Sequence, residues 1–348
     1  MKINHNLDSV IEPIFLSTTF SQKKPSQWGY SRVDNPTRLN LEKELAILEK
    51  AKHSLAFSSG SAAITTLLST FKSGDHILCH EELYEGTLRQ LEKVFKKFGL
   101  VFDLVNFFDV NKVQQSINQK TKLLLFENIT NPTLKVIDIK KIVSLAKKNR
   151  IKVAVDNTIC TPIFQNPLCL GVDIVIHSLT KFINGHHDVT AGAIMLNNKK
   201  LFRQLKFFQH TIGAVPSPFD CFLVSRGIKT LMLRMKQHQK NAQKISLFLK
   251  KQRQIKKVFF PNVSGLLSFW LKGNNKKVKR FLNRLKLIKI AHSFGGIEST
   301  ILYPVSMMTF SFSKEKMKEL GITNSLLRMS VGLEEVDSIL NDLDQALN

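Results

Sequence analysis

The sequence predicts an α/β fold, a mostly parallel central sheet followed by a smaller α+β C-terminal domain. Three observations lead there. Short apolar runs alternate with segments of helical period between His53 and Leu196, the order that builds a parallel sheet covered on both faces. Beyond about residue 230 that alternation stops, and a long basic helix is followed by isolated strands and helices. Small or polar clusters follow the apolar runs at Ser58–Ser61, Glu127–Asn131, Asp156–Thr158 and His177–Lys181. Ligands of open α/β sheets bind at the carboxyl ends of strands, so these clusters are expected to converge on one crevice.

The elements follow in order. Residues 1–38 have little periodicity and carry turn formers such as Asp34-Asn35-Pro36, so they read as an arm. From Thr37, placed to cap it, a helix presents Leu41, Leu45 and Leu48 on one face. His53–Phe57 is a strand, SSGSAAITTLLSTF a turn and helix, and Asp75–Cys79 a strand. Leu83–Phe98 reads as a helix with a basic outer face. Val101–Val105, Lys122–Glu127, Ile151–Val155, Val172–Ile176 and Ala191–Leu196 read as strands, with a helix at Ile139–Lys148. The C-terminal part predicts helices at Lys236–Lys251, Lys276–Leu287 and Glu334–Leu347, and strands at Val263–Leu271 and 326–332. Phe281, Leu282 and Leu285 face inward in the second of those helices. The expected division is an arm, 1–38, a main α/β domain, 39–230, and a small domain, 231–348.

Composition narrows the function. With 348 residues, 43% hydrophobic and 22% charged, the chain buries a large core and has ordinary globular make-up. No apolar run approaches the roughly 18–20 residues of a membrane span, so no membrane partner is expected. The N-terminus lacks a signal-peptide apolar region, which predicts a cytoplasmic protein. Cys79, Cys160, Cys169 and Cys221 are scattered and form no CxxC, which predicts reduced thiols and no metal site. The net charge of +24 is spread along the chain, with a modest concentration at Lys272–Lys289. No nucleic-acid-binding motif accompanies it, so no nucleic-acid partner is expected; a basic nucleic-acid-binding protein is the reading from another class.

The chemistry concentrates in VDIVIHSLTKFINGHHD, residues 172–188. An apolar strand ends in hydroxyls with Lys181 directly behind, and a buried lysine is costly unless something uses it. Lys181 is a plausible amine nucleophile, and Ser178 and Thr180 are donors suited to phosphate. Ser58-Ser59-Gly60-Ser61 opens a helix, whose first N–H groups hold phosphate well. Asp156 ends another strand. GxGxxG and GxxxxGK[ST] are both missing, so dinucleotide and Walker-type readings fail. An amine, an acid for a pyridinium nitrogen and a phosphate cup together describe pyridoxal 5'-phosphate (PLP). Singly, each residue has an ordinary explanation: a surface lysine, a turn aspartate, an Arg328 pointing outward on an edge strand, a His186–His187 pair that is solvated.

Nine stretches remove that ambiguity together: EPIFLSTTF, YSRVDNPTR, LAFSSGSAAI, ENITNPTLKVIDI, VDNTICTPIFQNPL, GVDIVIHSLTKFINGHHDVTAG, SPFDCFLVSRGIKTLMLRM, SFGGIES and LLRMSVGLEEVDSILNDLDQAL. In these the chain resembles the Cys/Met-metabolism (trans-sulfuration) family of PLP enzymes, which includes cystathionine β-lyase, γ-synthase and γ-lyase. The resemblance implies a fold-type-I PLP-dependent transferase fold, like that of aspartate aminotransferase. It implies that Lys181 is the Schiff-base lysine and proton shuttle, Asp156 the partner of the pyridine nitrogen, and Asn131 the partner of the ring's phenolic oxygen. Tyr84 would stack on the ring and take part in proton transfer, and Thr158 would pack on its other face. Gly60, Ser61, Ser178 and Thr180 would cradle the phosphate, reached by Tyr30 and Arg32 of a neighbouring subunit in at least a homodimer. Arg328, helped by Ser293, would clamp the substrate carboxylate.

Four departures accompany the resemblance. The segment before EPIFLSTTF is short, so a tetramer is not expected. FFPNVSGLLSF joins two strands that the family separates by a few tens of residues. Phe310 replaces a histidine, and His292 stands where the family's synthases and γ-lyases typically carry glutamate. His292 and SPFDC favour cystathionine β-lyase: cystathionine to homocysteine, pyruvate and ammonia. The alternatives are cystathionine γ-synthase, joining O-succinyl- or O-acetylhomoserine to cysteine, cystathionine γ-lyase, and an inactive remnant of the PLP fold.

Overall fold

The computed structural model describes residues 10–21, 28–306 and 313–348; Phe310 lies outside them. The first helix is α1 (Pro36–Glu49), followed by β1 (His53–Phe57), α2 (Gly60–Leu68), β2 (His76–His80), α3 (Glu85–Lys93) and β3 (Val101–Val105). Next come α4 (Val110–Ser116), β4 (Thr121–Glu127), α5 (Ile139–Lys148), β5 (Lys152–Asp156), α6 (Thr161–Phe164), β6 (Ile174–Ser178) and β7 (Gly192–Leu196). The seven strands form one sheet in the order β1-β7-β6-β5-β4-β2-β3, parallel except for β7, which runs antiparallel to β1 and β6.

Helices cover both faces, and strand alternation sorts the core accordingly. Leu124 and Phe126 of β4 and Val153 and Val155 of β5 pack with Leu41, Leu45 and Ile142 from α1 and α5. Leu123, Leu125 and Ala154 point the other way, into a cluster with Leu67 of α2 and Leu88 of α3. The parallel register then lines up the strand ends: Glu127 pairs with Asp156, and Asp156 with Ile176. Gly192 of β7 pairs with both Phe57 and Ser178, which brings the start of α2 beside the end of β6. All four polar clusters therefore reach one edge of the sheet.

Three helices follow, α7 (Lys199–Ile212), α8 (Pro218–Ile228) and α9 (Leu231–Lys251). The remainder is β8 (Ile255–Phe259), β9 (Leu266–Leu271), α10 (Asn275–Arg284), β10 (Lys289–Ile290), β11 (Thr300–Leu302), α11 (Lys314–Leu320), β12 (Leu326–Ser330) and α12 (Val336–Leu347). Its sheet has the order β10-β11-β12-β9-β8. Leu267 and Phe269 of β9 and Leu327 and Met329 of β12 pack with Ile245, Phe281 and Ile339 from α9, α10 and α12. The alternate residues Ser268 and Arg328 are cross-strand partners, and the Ser268 hydroxyl donates to the Pro132 carbonyl at 2.7 Å. The second face of the small sheet thus closes over the strand ends of the large one.

Several expectations change. Asn35 rather than Thr37 caps α1, accepting from Thr37 N at 2.9 Å and Arg38 N at 3.3 Å. Pro36 takes the first helical position, so the cap moves back two residues. The Thr37 hydroxyl instead accepts from Phe15 N at 2.9 Å and holds the arm. The helix expected over Leu83–Phe98 begins at Glu85, because the Glu127 carboxylate takes the Tyr84 N–H, and after Val94 it tightens into a 3-10 turn, Phe95–Phe98. Arg328 is on a central strand, not an edge, and is only 4% exposed. FFPNVSGLLSF runs from the last residue of β8 through a turn with Asn262 and Ser264 both at φ 59° into β9, antiparallel to β8. The four cysteines are unpaired. Among the described residues no helix is long and apolar enough to cross a membrane.

Candidate active site

A cavity of about 640 Å³ opens at the carboxyl edge of the large sheet, under the small one. Among the residues named from sequence, Gly60, Ser61, Tyr84, Asn131, Asp156, Thr158, Ser178, Thr180, Lys181, Ser293 and Arg328 all line it. Tyr30 and Arg32 do not. They lie on the exposed arm, where the Arg32 guanidinium stands 5.4 Å from the Tyr30 ring and donates to the His210 carbonyl at 2.5 Å. His177 turns away from the cavity; it is fully buried against Glu49 of α1 at 2.8 Å.

One end of the cavity is built for an anion. Ser59, extended at φ −165°, caps α2 by accepting from Ala62 N at 3.0 Å. The next N–H groups, those of Gly60 and Ser61, have no acceptor within a helix. A side chain at Gly60 would stand 3.1 Å from Ser178 Cβ, and one at Gly192 would collide with the Ser59 carbonyl. Glycine at both positions lets the two backbones close into a cradle. Ser178 N donates to the Thr158 hydroxyl at 2.8 Å. Thr180 lines the cradle with its hydroxyl already engaged, donating to the Ala191 carbonyl at 3.1 Å and accepting from Ala191 N at 3.0 Å.

The floor carries two adjacent carboxylates. Asp156 Oδ1 accepts from Thr158 N at 2.9 Å and from the Thr158 hydroxyl at 2.5 Å, which leaves Oδ2 for another donor. Burial raises the Asp156 carboxyl, against the opposing pull of the Thr158 bonds and the nearby His177 and Lys181. Burial also raises Glu127, and the neighbouring Asp156 pushes it further, well above the usual range. Two like charges in one low-dielectric site each raise the other, so the pair resists carrying both charges at once. Glu127 was named only as a strand end in the sequence; here it accepts the Tyr84 backbone N–H and sets the position of that ring. Tyr84 is half-exposed at the mouth, beside an Arg89–Glu85 pair at 3.3 Å that sequence reasoning missed.

Lys181 comes from the turn after β6. Arg234 of α9 secures the following loop, donating to the carbonyls of Phe182 at 2.7 Å, Ile183 at 3.0 Å and Gly227 at 2.7 Å. The Lys181 ammonium donates to the Ser293 hydroxyl at 2.5 Å and lies 5.1 Å from the Phe294 ring. Burial, then the nearby Arg328 charge, lowers its pKa to about 8, with Asp156 pulling the other way. Ser293 adopts φ 77°, a left-handed conformation that costs a non-glycine residue energy. Its carbonyl accepts from Arg328 Nη2 at 2.5 Å, and the following Gly295 N is held by Ser330 at 2.9 Å. Arg328 Nη1 donates to Asn131 Oδ1 at 2.9 Å, while Nε is buried without a partner among the described residues. A carboxylate entering the cavity is the natural acceptor for that nitrogen.

Fold and cavity together define a PLP-dependent enzyme of fold type I. The profile of the Cys/Met metabolism PLP-dependent enzymes matches residues 1–348, and the chain belongs to that family. It is 42% identical to cystathionine γ-lyase of Dictyostelium discoideum, over 99% of this chain and 94% of the relative. It is 41% identical to cystathionine β-lyase of Lactococcus lactis subsp. cremoris, over 97% and 94%. Human cystathionine γ-lyase is 42% identical, over 97% and 89%. Among solved structures, cystathionine γ-lyase from Lactobacillus plantarum complexed with L-serine superposes with a TM-score of 0.92 at 36% identity, covering 96% of this chain and 92% of that one. The metB structure from Corynebacterium glutamicum gives 0.95 at 37%, covering 99% and 94%.

The family's cofactor is pyridoxal 5'-phosphate. The residues present fit it: a glycine-closed cradle for the phosphate, a second carboxylate oxygen on Asp156 for a ring N–H, and a half-buried amine that forms no carboxylate ion pair among the described residues. A pKa of about 8 leaves roughly a tenth of Lys181 neutral at pH 7, against about one in a few thousand for an ordinary lysine. Only the neutral amine is nucleophilic. Capture of pyridoxal phosphate by cofactor-free protein, followed by absorbance, is therefore expected to accelerate with pH up to about 8 and then level off. A rate still climbing at pH 10 would contradict this.

Proposed function

We propose that the protein is a PLP-dependent carbon–sulfur lyase that cleaves cystathionine by β-elimination, to homocysteine, pyruvate and ammonia. The observation that carries the reading is Lys181, buried with a lowered pKa between Ser293, Arg328 and Asp156 in one cavity. Gly60, Ser61, Ser178 and Thr180 are proposed to hold the phosphate, Asn131 the phenolic oxygen, Asp156 the ring nitrogen, and Tyr84 and Thr158 the two ring faces. Bound there, pyridoxal phosphate supplies an electron sink for the pair left when the substrate Cα loses its proton.

The chain's own groups do the rest. Arg328 fixes the substrate carboxylate and so orients the Cα–H bond toward Lys181. Lys181 would take the Cα proton and deliver it to the departing sulfur. The Cβ–S bond breaks, homocysteine leaves with that proton, and water converts the remaining three-carbon fragment to pyruvate and ammonia. Asp156, kept in place by Thr158, would favour a proton on the ring nitrogen of the bound cofactor.

γ-Elimination is the second reading, because the family relatives named γ-lyase are as similar as those named β-lyase. His292 lines the rim without the glutamate that the γ-lyases typically carry, which favours the β route. Incubation with cystathionine separates the two: pyruvate is expected, and 2-oxobutyrate with cysteine would overturn the assignment. Formation of cystathionine from O-succinylhomoserine and cysteine would place the protein with the synthases instead.

The same reading makes the protein at least a homodimer, with Tyr30 and Arg32 reaching the phosphate of a neighbouring subunit; their place on the exposed arm supports this. It divides the chain into an arm, 1–38, a cofactor-binding unit, 39–230, and a small unit, 231–348, the last beginning where α9 begins. Unpaired cysteines fit a cytoplasmic location.

A further inference from the structure

The small domain carries a second cavity, of about 410 Å³, far in sequence from the catalytic lysine. Five cations from three elements line it: Arg253 after α9, Lys272 after β9, and Lys277, Arg280 and Arg284 on α10. The last three are spaced i, i+3, i+7, so they form one stripe of the helix. Among the described residues no aspartate or glutamate lines the cavity; the only negative feature of its wall among them is the C-terminal end of α12, Ala346 to Asn348. Among the described residues none of the five side chains has an ion-pair or hydrogen-bond partner.

The arrangement runs against helix stability. Like charges three and four apart repel. The first turn of α10 holds no acidic residue and two lysines, Lys276 and Lys277, at the end where the helix dipole is already positive. A diffuse positive surface would not require a concave site, nor three separate elements to point their cations into it. The floor beneath is apolar, with Phe281 held in the core by Phe269 at 90°. What such a site lacks is a compact anion of several charges.

We propose that this cavity binds a polyphosphate group, as carried by a nucleoside triphosphate or by inorganic tripolyphosphate. Guanidinium forks and ammonium groups converging from several sides are the standard complement of phosphate oxygens. A cavity of this volume takes a small molecule and is too narrow for a duplex. The assignment uses the Lys272–Lys289 charge concentration that the carbon–sulfur chemistry leaves unexplained. It is independent of the proposed lyase activity.

The test is calorimetric titration of the full-length holoenzyme, its phosphate cradle already filled, at about 150 mM salt to screen diffuse charge. Tripolyphosphate and ATP are expected to bind at least tenfold more tightly than sulfate. ATP tighter than tripolyphosphate would support a nucleotide as the source, and equal binding would support the phosphate chain alone. Arg280→Ala/Arg284→Ala is expected to weaken both by tenfold or more, with the cofactor absorbance and melting temperature in the absence of ligand unchanged. Lys240→Ala/Lys244→Ala, exposed cations of α9 outside the cavity, is expected to leave binding unchanged. Four results would overturn the proposal: no binding, sulfate binding as tightly, equal weakening in both double variants, or a DNA oligonucleotide binding more tightly than ATP and losing that binding in the α10 variant.

Discussion

Lys181→Ala is expected to retain its fold and its cofactor yet to release pyruvate from cystathionine about 10³–10⁴-fold more slowly than the parent. The cofactor stays because the anchor is spread over the cradle, Asp156 and Asn131 rather than resting on one bond. The rate falls because, among the described residues, no other lysine lines the cavity. The stability cost is small: the ammonium is largely desolvated, and its removal relieves the repulsion with Arg328 that helps lower its pKa. Lys181→Arg should be as inactive, since a guanidinium keeps the charge and cannot give up its proton near neutral pH. Pyruvate followed with lactate dehydrogenase and NADH reads both variants. A residual rate within tenfold of the parent would remove Lys181 from the proton path.

Asp156→Asn is expected to lower kcat/KM by about 10²–10³-fold while leaving cofactor content and melting temperature near those of the parent. The amide is isosteric, and its oxygen can still accept from Thr158 N and the Thr158 hydroxyl, so the strand end keeps its shape. What disappears is the negative charge that favours a proton on the ring nitrogen. Glu127 does not substitute for it. Its carboxyl is committed to the Tyr84 N–H. If Asp156→Asn retained most of its activity, the electron-sink role assigned to this residue would be wrong.

Much of this site was legible in the sequence because a parallel sheet converts sequence position into spatial position. Once Phe57, Glu127, Asp156 and Ser178 are recognised as strand ends, their convergence at one edge follows from the sheet register. Lys181 stood out because a lysine behind an apolar strand is costly unless it is used. Other features depend on contacts between distant segments. Arg328 reads as an alternating outward residue on LLRMS, and only the large sheet beneath turns that outward face into an interior one. Glu127 gains its significance from Asp156 alongside and from Tyr84, 43 residues away. Asn35 displaces Thr37 as a cap because Pro36 fixes the helix start, a local signal present in the sequence. α8 gives a weak pattern because an exposed aromatic, Phe219, blurs its buried face.

The central claim is that one lysine holds the cofactor. Borohydride treatment of the holoenzyme, digestion and mass spectrometry should find the reduced pyridoxyl group on Lys181 alone. Recovery of the group on a different lysine, or of an unmodified Lys181 peptide from protein that has lost its cofactor absorbance, would contradict the account.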